Sequence, residues 1–552
     1  MKHDGIYRIT THVMGSARGD VAAIGMKAYD LSRMVRVGLP VPPAFVLGTP
    51  HCRHCLLEPE RYRKIVVPLL EEQMRWLQSV TGLGFGDPRK PLLVSVRSGA
   101  PVSMPGMMDT LLNIGLCDAT IHGLLRITGN PRLVLDSYRR LVHSFAVVVC
   151  GVEQQPFEAA IEAMLAREHA DRCQELDYVS LAELSQTFLR LFHDLTGKPF
   201  PQQPLDQLVL AVQAVFASWN SSRAVEYRRL YGVADDIYTA VTIQQMVFGN
   251  AGGTSGSGVG FTRDPDSGAK RLYFDFLFNS QGEDVVSGRA SGSDAERLFS
   301  ALPDIRQELL AVCSSLEQEF GDVQEFEFTI QDGVLYILQS RGAKRTPWAE
   351  VIIAVDQVEE GLIERSEALA RLNGLALGEI RRQRLSPGEK EPLCQGEPAG
   401  IGVAVGPLAL DVDAARKFAA EGRPAVLVRE EMTTADIAGF AVAAGILAAR
   451  GSRTSHAAVV ARQLDKPCVT GCRSLRLDPV RRVVQAGNRT LAEGEPISLD
   501  ANTGRLFAGE AEIVIEYPTA WLNEIRKWRH SSTRGKSADG VGLAPRKGGH
   551  RR

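Results

Sequence analysis

Long hydrophobic runs, a cysteine framework and an excess of charge of one sign are all missing from this chain. The longest uncharged apolar stretch, 439–449, is too short to span a bilayer. The N-terminal Met1-Lys2-His3-Asp4-Gly5 lacks the apolar core of a signal peptide. Nine cysteines, an odd number, are scattered without framework spacing, which implies reduced thiols and a cytoplasmic location. The pair in His51-Cys52-Arg53-His54-Cys55 has no second CxxC to complete a zinc site. A net charge of −2 gives no electrostatic case for nucleic acid or a membrane as partner. No Gly-Lys-Ser/Thr follows a glycine-rich loop, so a Walker A site is excluded. What is present is ordinary globular material: 552 residues, 44% hydrophobic and 23% charged, enough for several domains.

Glycine-rich turns alternate with strand-like runs such as Pro91–Val96 and Val334–Leu338 over residues 1–345. A helical stretch from about 119 to 230 interrupts them, with amphipathic spacing in Pro156–Ala166 and Leu181–Leu195. Residues 346–395 read as a charged helical linker, in which Pro387-Gly388 and Pro392 mark hinge positions. Residues 396–510 read as a second α/β unit. The tail 511–552 is polar and basic toward its end, with Lys/Arg far outnumbering the single acid Asp539 after Arg526, and reads as disordered.

One histidine carries the most information. The apolar run Ala444–Ala449 reads as a buried strand, and Gly451-Ser452-Arg453-Thr454-Ser455-His456 follows it. Thr454 or Ser455 suits an N-cap, placing His456 in the first turn of a helix. Free N–H groups and the positive helix end there favour a neutral, nucleophilic imidazole and would hold a phosphate on it. Upstream, Lys27 in Gly25-Met26-Lys27-Ala28 opens a helical pattern from which it can reach a phosphate. Arg97, at the end of the strand-like Pro91–Val96, faces the loop Met104–Thr110 and suits bidentate phosphate binding. The Gly/Ser/Thr-rich segment 249–260 allows close approach of backbone N–H groups to phosphate oxygens. Alternation in Gln324-Glu325-Phe326-Glu327-Phe328 puts Glu325 and Glu327 on one strand face, where a divalent cation would relieve their repulsion.

These segments resemble the pyruvate, phosphate dikinase family of PEP-utilising enzymes. The resemblance rests on Gly38–Pro43, Ser95–Ala100, Met104–Thr110, Asp136–Arg140, Gln281–Val286 and Thr454–Arg462, and runs in order from about residue 20 to 510. It implies an ATP-grasp nucleotide-binding domain with a helical insert (1–345), followed by a swivelling phosphohistidine domain (396–510). It implies that His456 is the phosphohistidine carrier, with Thr454 beside it. It further implies that Lys27 and Arg97 contact phosphates of ATP, with Arg139 or Arg140 reaching them from the helical part. Glu327 and Gln339 would meet Mg²⁺ and the nucleotide phosphates, with Arg341 close by. Asp275 stands where the family usually has Glu, and Glu325 where it usually has Asp. Met26 stands where the family has a second Gly.

The family's reaction converts ATP, pyruvate and phosphate to AMP, phosphoenolpyruvate and diphosphate, with Mg²⁺ and a monovalent cation as expected cofactors. Its pyruvate site lies on a (β/α)8 barrel of about 250 residues. About forty residues follow position 510 here. The expectation is therefore the nucleotide half-reaction alone, with the barrel site missing or supplied by a separate subunit, and a partner protein or a homo-oligomer as further partners. The alternative is a phosphocarrier or regulatory protein, or transfer to another acceptor. An antibiotic-type phosphotransferase is disfavoured because 346–395 is too short for its acceptor domain.

Overall fold

The computed structural model describes residues 5–11, 19–102, 104, 107–170, 173–234, 236–285, 292–386, 388, 390–433, 436–451, 460–462 and 464–538. Side chains are described over these ranges except at 283, 292–296 and 531–538. The architecture is α/β and multidomain.

Five strands, β1 (Ile6–Ile9), β2 (Ala44–Leu47), β3 (Val94–Gly99), β4 (Thr110–Ile114) and β5 (Ala240–Gln245), form an antiparallel sheet of order β1-β2-β5-β3-β4. One face packs on the helices of 118–231 and on the long helix Pro59–Thr81, around Phe145, Phe188 and Trp219. The thiols of Cys52 and Cys55 lie in this core, and burial pushes them up to about 12 and about 11. At neutral pH these buried thiols are protonated packing groups of the core.

The other face of this sheet packs on the helix Val21–Arg36. Beyond that helix lies a second antiparallel sheet, β6 (Gly256–Phe261), β7 (Tyr273–Phe278), β8 (Gln324–Gln331) and β9 (Val334–Gly342), in the order β7-β6-β8-β9. Phe274, Phe276, Phe326 and Phe328 face this shared core. A Cβ on Gly256, Gly258 or Gly260 would stand 2.1, 2.3 or 2.6 Å from a ring carbon of Phe276, Phe328 or Phe326. These glycines, read from the sequence as phosphate-approaching, instead make room in β6 for phenylalanine rings.

The C-terminal half contains β10 (Arg382–Ser386), β11 (Cys394–Gln395), β12 (Glu397–Pro398), β13 (Val403–Ala409), β14 (Val426–Arg429), β15 (Gly445–Ala448) and β16 (Cys468–Thr470). The hairpin strands β17 (Leu475–Asp478), β18 (Val483–Ala486) and β19 (Arg489–Ala492) follow, then β20 (Pro496–Asp500), β21 (Arg505–Ala508) and β22 (Glu512–Glu516). An eight-stranded sheet of order β11-β21-β20-β13-β14-β15-β16-β12 has β13 to β16 parallel. Separate apolar cores cover parts of this unit, one of them set around Phe440, Ile446 and Ala448.

Two segments differ from expectation. The stretch after Thr346, read as a charged linker, begins with the apolar helix Pro347–Glu359, which buries Trp348, Val351, Ile352 and Val355. Within the tail 511–552, read as disordered, the described residues form β22 and the helix Thr519–Ala538, and 539–552 lie outside the described residues. β22 pairs antiparallel with β10, and Leu522, Ile525 and Trp528 complete the core of the linker helix. A basic composition hid this helix because its apolar positions are few and their partner lies about 170 residues upstream. Arg263, with no exposed side-chain surface, donates to Glu317 at 2.7 Å and to Glu360 at 2.8 Å. It thereby joins the second sheet to the end of the linker helix.

Ile525 is fully buried between the two helices. Ile525→Ala is expected to destabilise the protein by about 2–5 kcal/mol, read as a lower urea midpoint. An unchanged midpoint would show that this helix does not pack.

Candidate active site

The crevice between the two N-terminal sheets is built by a backbone contact. Gly25 has φ 75°, and a Cβ there would lie 1.8 Å from the Gly99 carbonyl oxygen. Met26 N–H donates to Ala100 O at 3.0 Å. The start of the helix Val21–Arg36 is thereby pressed against the end of β3, which places Lys27 beside Arg97. Met26, standing where the resemblance calls for glycine, enters this contact through its backbone N–H alone, and its side chain is exposed.

Lys27, Leu31, Arg97, Thr242, Leu338 and Gln339 line the crevice. Arg97 and Thr242 are register partners on β3 and β5. Among the described residues, neither Lys27 nor Arg97 has an ion-pair partner, and the buried Thr242 hydroxyl has no hydrogen-bond partner. Burial holds the Lys27 ammonium below its ordinary pKa, and the Arg97 charge lowers it further. Glu327 opposes this, while Arg341 adds to it. Two converging cations and an unsatisfied hydroxyl form a site whose electrostatic deficit an anion would relieve.

The carboxylates come from the second sheet. Asp275, Val259, Glu327 and Gln339 stand in one row across β7, β6, β8 and β9. Their face is opposite the phenylalanine face, as alternation in β8 requires. In the next row Glu325 pairs with Arg341 at 2.5 Å, which raises the Arg341 pKa. Glu325 is thus already neutralised, whereas Glu327 has no ion-pair partner among the described residues and faces the fields of Lys27 and Arg341.

Lys27, Arg97 and Gln339 therefore meet in one crevice, and Glu327 lies opposite Gln339. Arg139 does not join them. It is buried in the helix Pro131–Cys150, donates to Asp136 at 2.5 Å and lies 5.7 Å from the Phe188 ring centroid. Its charge is paired within the helical part, away from the lining of the crevice. Arg140 is likewise held, by Asp136 and Asp284. Thr242 was missed by sequence reasoning. Its signal was the β5 run Ala240–Gln245, but only strand pairing sets it opposite Arg97.

Thr454 and His456 lie outside the described residues. Their frame is described: β15 is buried throughout, ends at Ala448 and leads to Gly451. Helical backbone occupies Val460–Arg462. The histidine segment thus follows the carboxyl end of a central parallel strand, where open α/β sheets place ligands.

Gly25→Ala forces a Cβ into the Gly99 carbonyl at positive φ. It is expected to destabilise the protein by at least about 1–3 kcal/mol, seen as a lower thermal midpoint; an unaltered midpoint would refute the contact.

Residues 68–308 match the family model described as pyruvate phosphate dikinase, AMP/ATP-binding domain, and 422–504 match that of the PEP-utilising enzyme, mobile domain. Arg97 falls in the first and position 456 in the second. Pyruvate, phosphate dikinase of Clostridium symbiosum is 40% identical over 92% of this chain and 58% of its own length. That of Rhizobium meliloti is 39% identical over 95% and 60%, and a chloroplastic one of Oryza sativa is 38% identical over 96% and 58%. The chain therefore spans about three-fifths of the length of these relatives. Identity of this level along almost the whole chain, with both family models matched, shows that the chain belongs to the pyruvate, phosphate dikinase family.

Proposed function

We propose that this chain is an ATP-dependent phosphotransferase that moves a phosphoryl group from ATP to the imidazole of His456. The observation that carries the reading is the pair of half-buried cations Lys27 and Arg97, without ion-pair partners among the described residues, facing the carboxylate of Glu327, which also has none. An imidazole nitrogen attacks phosphorus in line, the bond from phosphorus to the leaving phosphate oxygen breaks, and the nucleotide departs with that oxygen. Such transfer depends on positioning and on neutralising the phosphate charge. Lys27 and Arg97 bind the phosphate oxygens, and Thr242 donates its free hydroxyl to them. A magnesium ion bound by Glu327 and Gln339 would supply further charge neutralisation. Oxygen donors of this kind suit it, and phosphates and water complete its shell. No group of three or more acidic, histidine or cysteine ligands occurs among the described residues, so the nucleotide would provide the remaining ligands.

Two features support delivery of the phosphoryl group elsewhere. In the chain, the histidine segment follows β15 of the C-terminal sheet, whereas the crevice lies between the N-terminal sheets. The chain also passes between these parts through the β10/β22 ribbon. On this reading the acceptor is pyruvate, as in the relatives' names, reached at a site outside the residues described. No helix among the described residues is long and apolar enough to cross a membrane.

Incubation with Mg²⁺ and ATP labelled at the β- or γ-phosphate should give acid-labile label on His456. No label from either position, or label that persists in His456→Ala, would sink the carrier reading.

Lys27 supplies a pH prediction. Its pKa lies below the ordinary 10.5, and phosphate binding requires the charged form. ATP affinity should therefore fall as pH rises, beginning below the usual lysine range. Lys27→Met should weaken ATP binding about tenfold or more and abolish that fall; calorimetric titration across pH checks both.

A further inference from the structure

The turn that follows the helix Arg365–Arg371 belongs to the linker and takes no part in the candidate active site. It is anchored on both sides. Leu372 is fully buried and Ile380 nearly so, both in the apolar core around the linker helix, and Leu375 and Leu377 pack against that core. Leu375 N–H closes the turn by donating to Leu372 O at 3.3 Å. Asn373 and Gly374 stand at its tip, both exposed. Gly374 has φ 99°, a conformation that glycine adopts freely.

This is the only Asn-Gly pair in the sequence. The Asn373 carboxamide makes no hydrogen bond among the described residues, and the Gly374 N–H donates none. A Cβ on Gly374 would meet nothing within 4 Å, so water reaches the tip freely. Other asparagines are held differently. The carboxamides of Asn130 and Asn502 bond to backbone groups, and Asn113 is fully buried.

An exposed Asn-Gly pair with both groups free can close a ring. The Gly374 backbone nitrogen gives up its proton to solvent base and attacks Asn373 Cγ. The N–Cγ bond forms, the Cγ–Nδ2 bond breaks, and ammonia leaves with a proton taken from water. One water then opens the cyclic imide at either carbonyl. One opening gives aspartate. The other gives isoaspartate, in which the main chain runs through Cγ and gains a methylene. Glycine permits the attack because no Cβ shields its nitrogen. Water is the only co-reactant.

We propose that Asn373 is a site of spontaneous deamidation and isoaspartate formation. The exchange adds a negative charge beside the cavity of about 730 Å³ that Gly374, Leu375 and Ala376 help to line. The isoaspartyl form also lengthens the main chain of a turn whose ends are fixed by burial of Leu372 and Ile380. The proposal is independent of the reading of His456.

The full chain, incubated in mildly alkaline buffer, is digested and mapped by mass spectrometry. The Asn373 peptide should gain the mass of an amide-to-acid exchange before any other asparagine peptide. It should split into two forms of equal mass, one of which accepts a methyl group from an isoaspartyl methyltransferase. A more acidic band should grow in parallel on isoelectric focusing, faster as pH rises, because the attacking nitrogen must lose its proton. Asn373→Gln, whose side chain would have to close a larger ring, should lose both the mass gain and the band. An Asn373 peptide of unchanged mass, a mass gain without the isoaspartyl form, or an acidic band that persists in Asn373→Gln would each overturn the proposal.

Discussion

Everything at the candidate active site depends on the approach of the Gly25 backbone to the Gly99 carbonyl. That contact tolerates no Cβ, and it aligns the first turn of a helix with the end of a strand. Lys27 and Arg97 become neighbours as a result, although seventy positions separate them in the sequence. Their mutual repulsion and the burial of Lys27 are costs that the protein alone does not offset, since Glu327 stands across the crevice on another sheet. A polyanion there satisfies both cations and the Thr242 hydroxyl at once, and a divalent cation carried with it would meet Glu327.

A second constraint is how the halves are joined. Arg263, buried and shared between Glu317 and Glu360, anchors the linker helix to the second sheet. A buried guanidinium of this kind is costly to leave unpaired, so the helix end is held firmly. On the other side, β10 and β22 pair as the chain enters and leaves the C-terminal sheet. The helix Thr519–Ala538 then returns to the linker helix. Gly388, which follows β10, has positive φ.

Misplaced expectations share one physical cause. The motif around Arg139 does not announce its ion pair with Asp136 one helical turn away. The glycines of β6 looked like an anion cradle, yet they answer to phenylalanines on neighbouring strands. In each case the local pattern was right about residue type and silent about the partner.

Local chemistry alone determined much. Alternation in β8 separated the phenylalanine face from the carboxylate face, and the apolar run before Gly451 declared a buried strand, because period and burial are properties of short segments. The family, too, was legible in ordered motifs. Tertiary structure decided which charged groups stay free: Glu325 is consumed by Arg341, Glu327 is not, and Thr242 is left unsatisfied opposite Arg97. It also turned a basic tail into a packed helix. These outcomes rest on pairing between strands and helices distant in the chain, and a one-dimensional pattern carries no record of its partners.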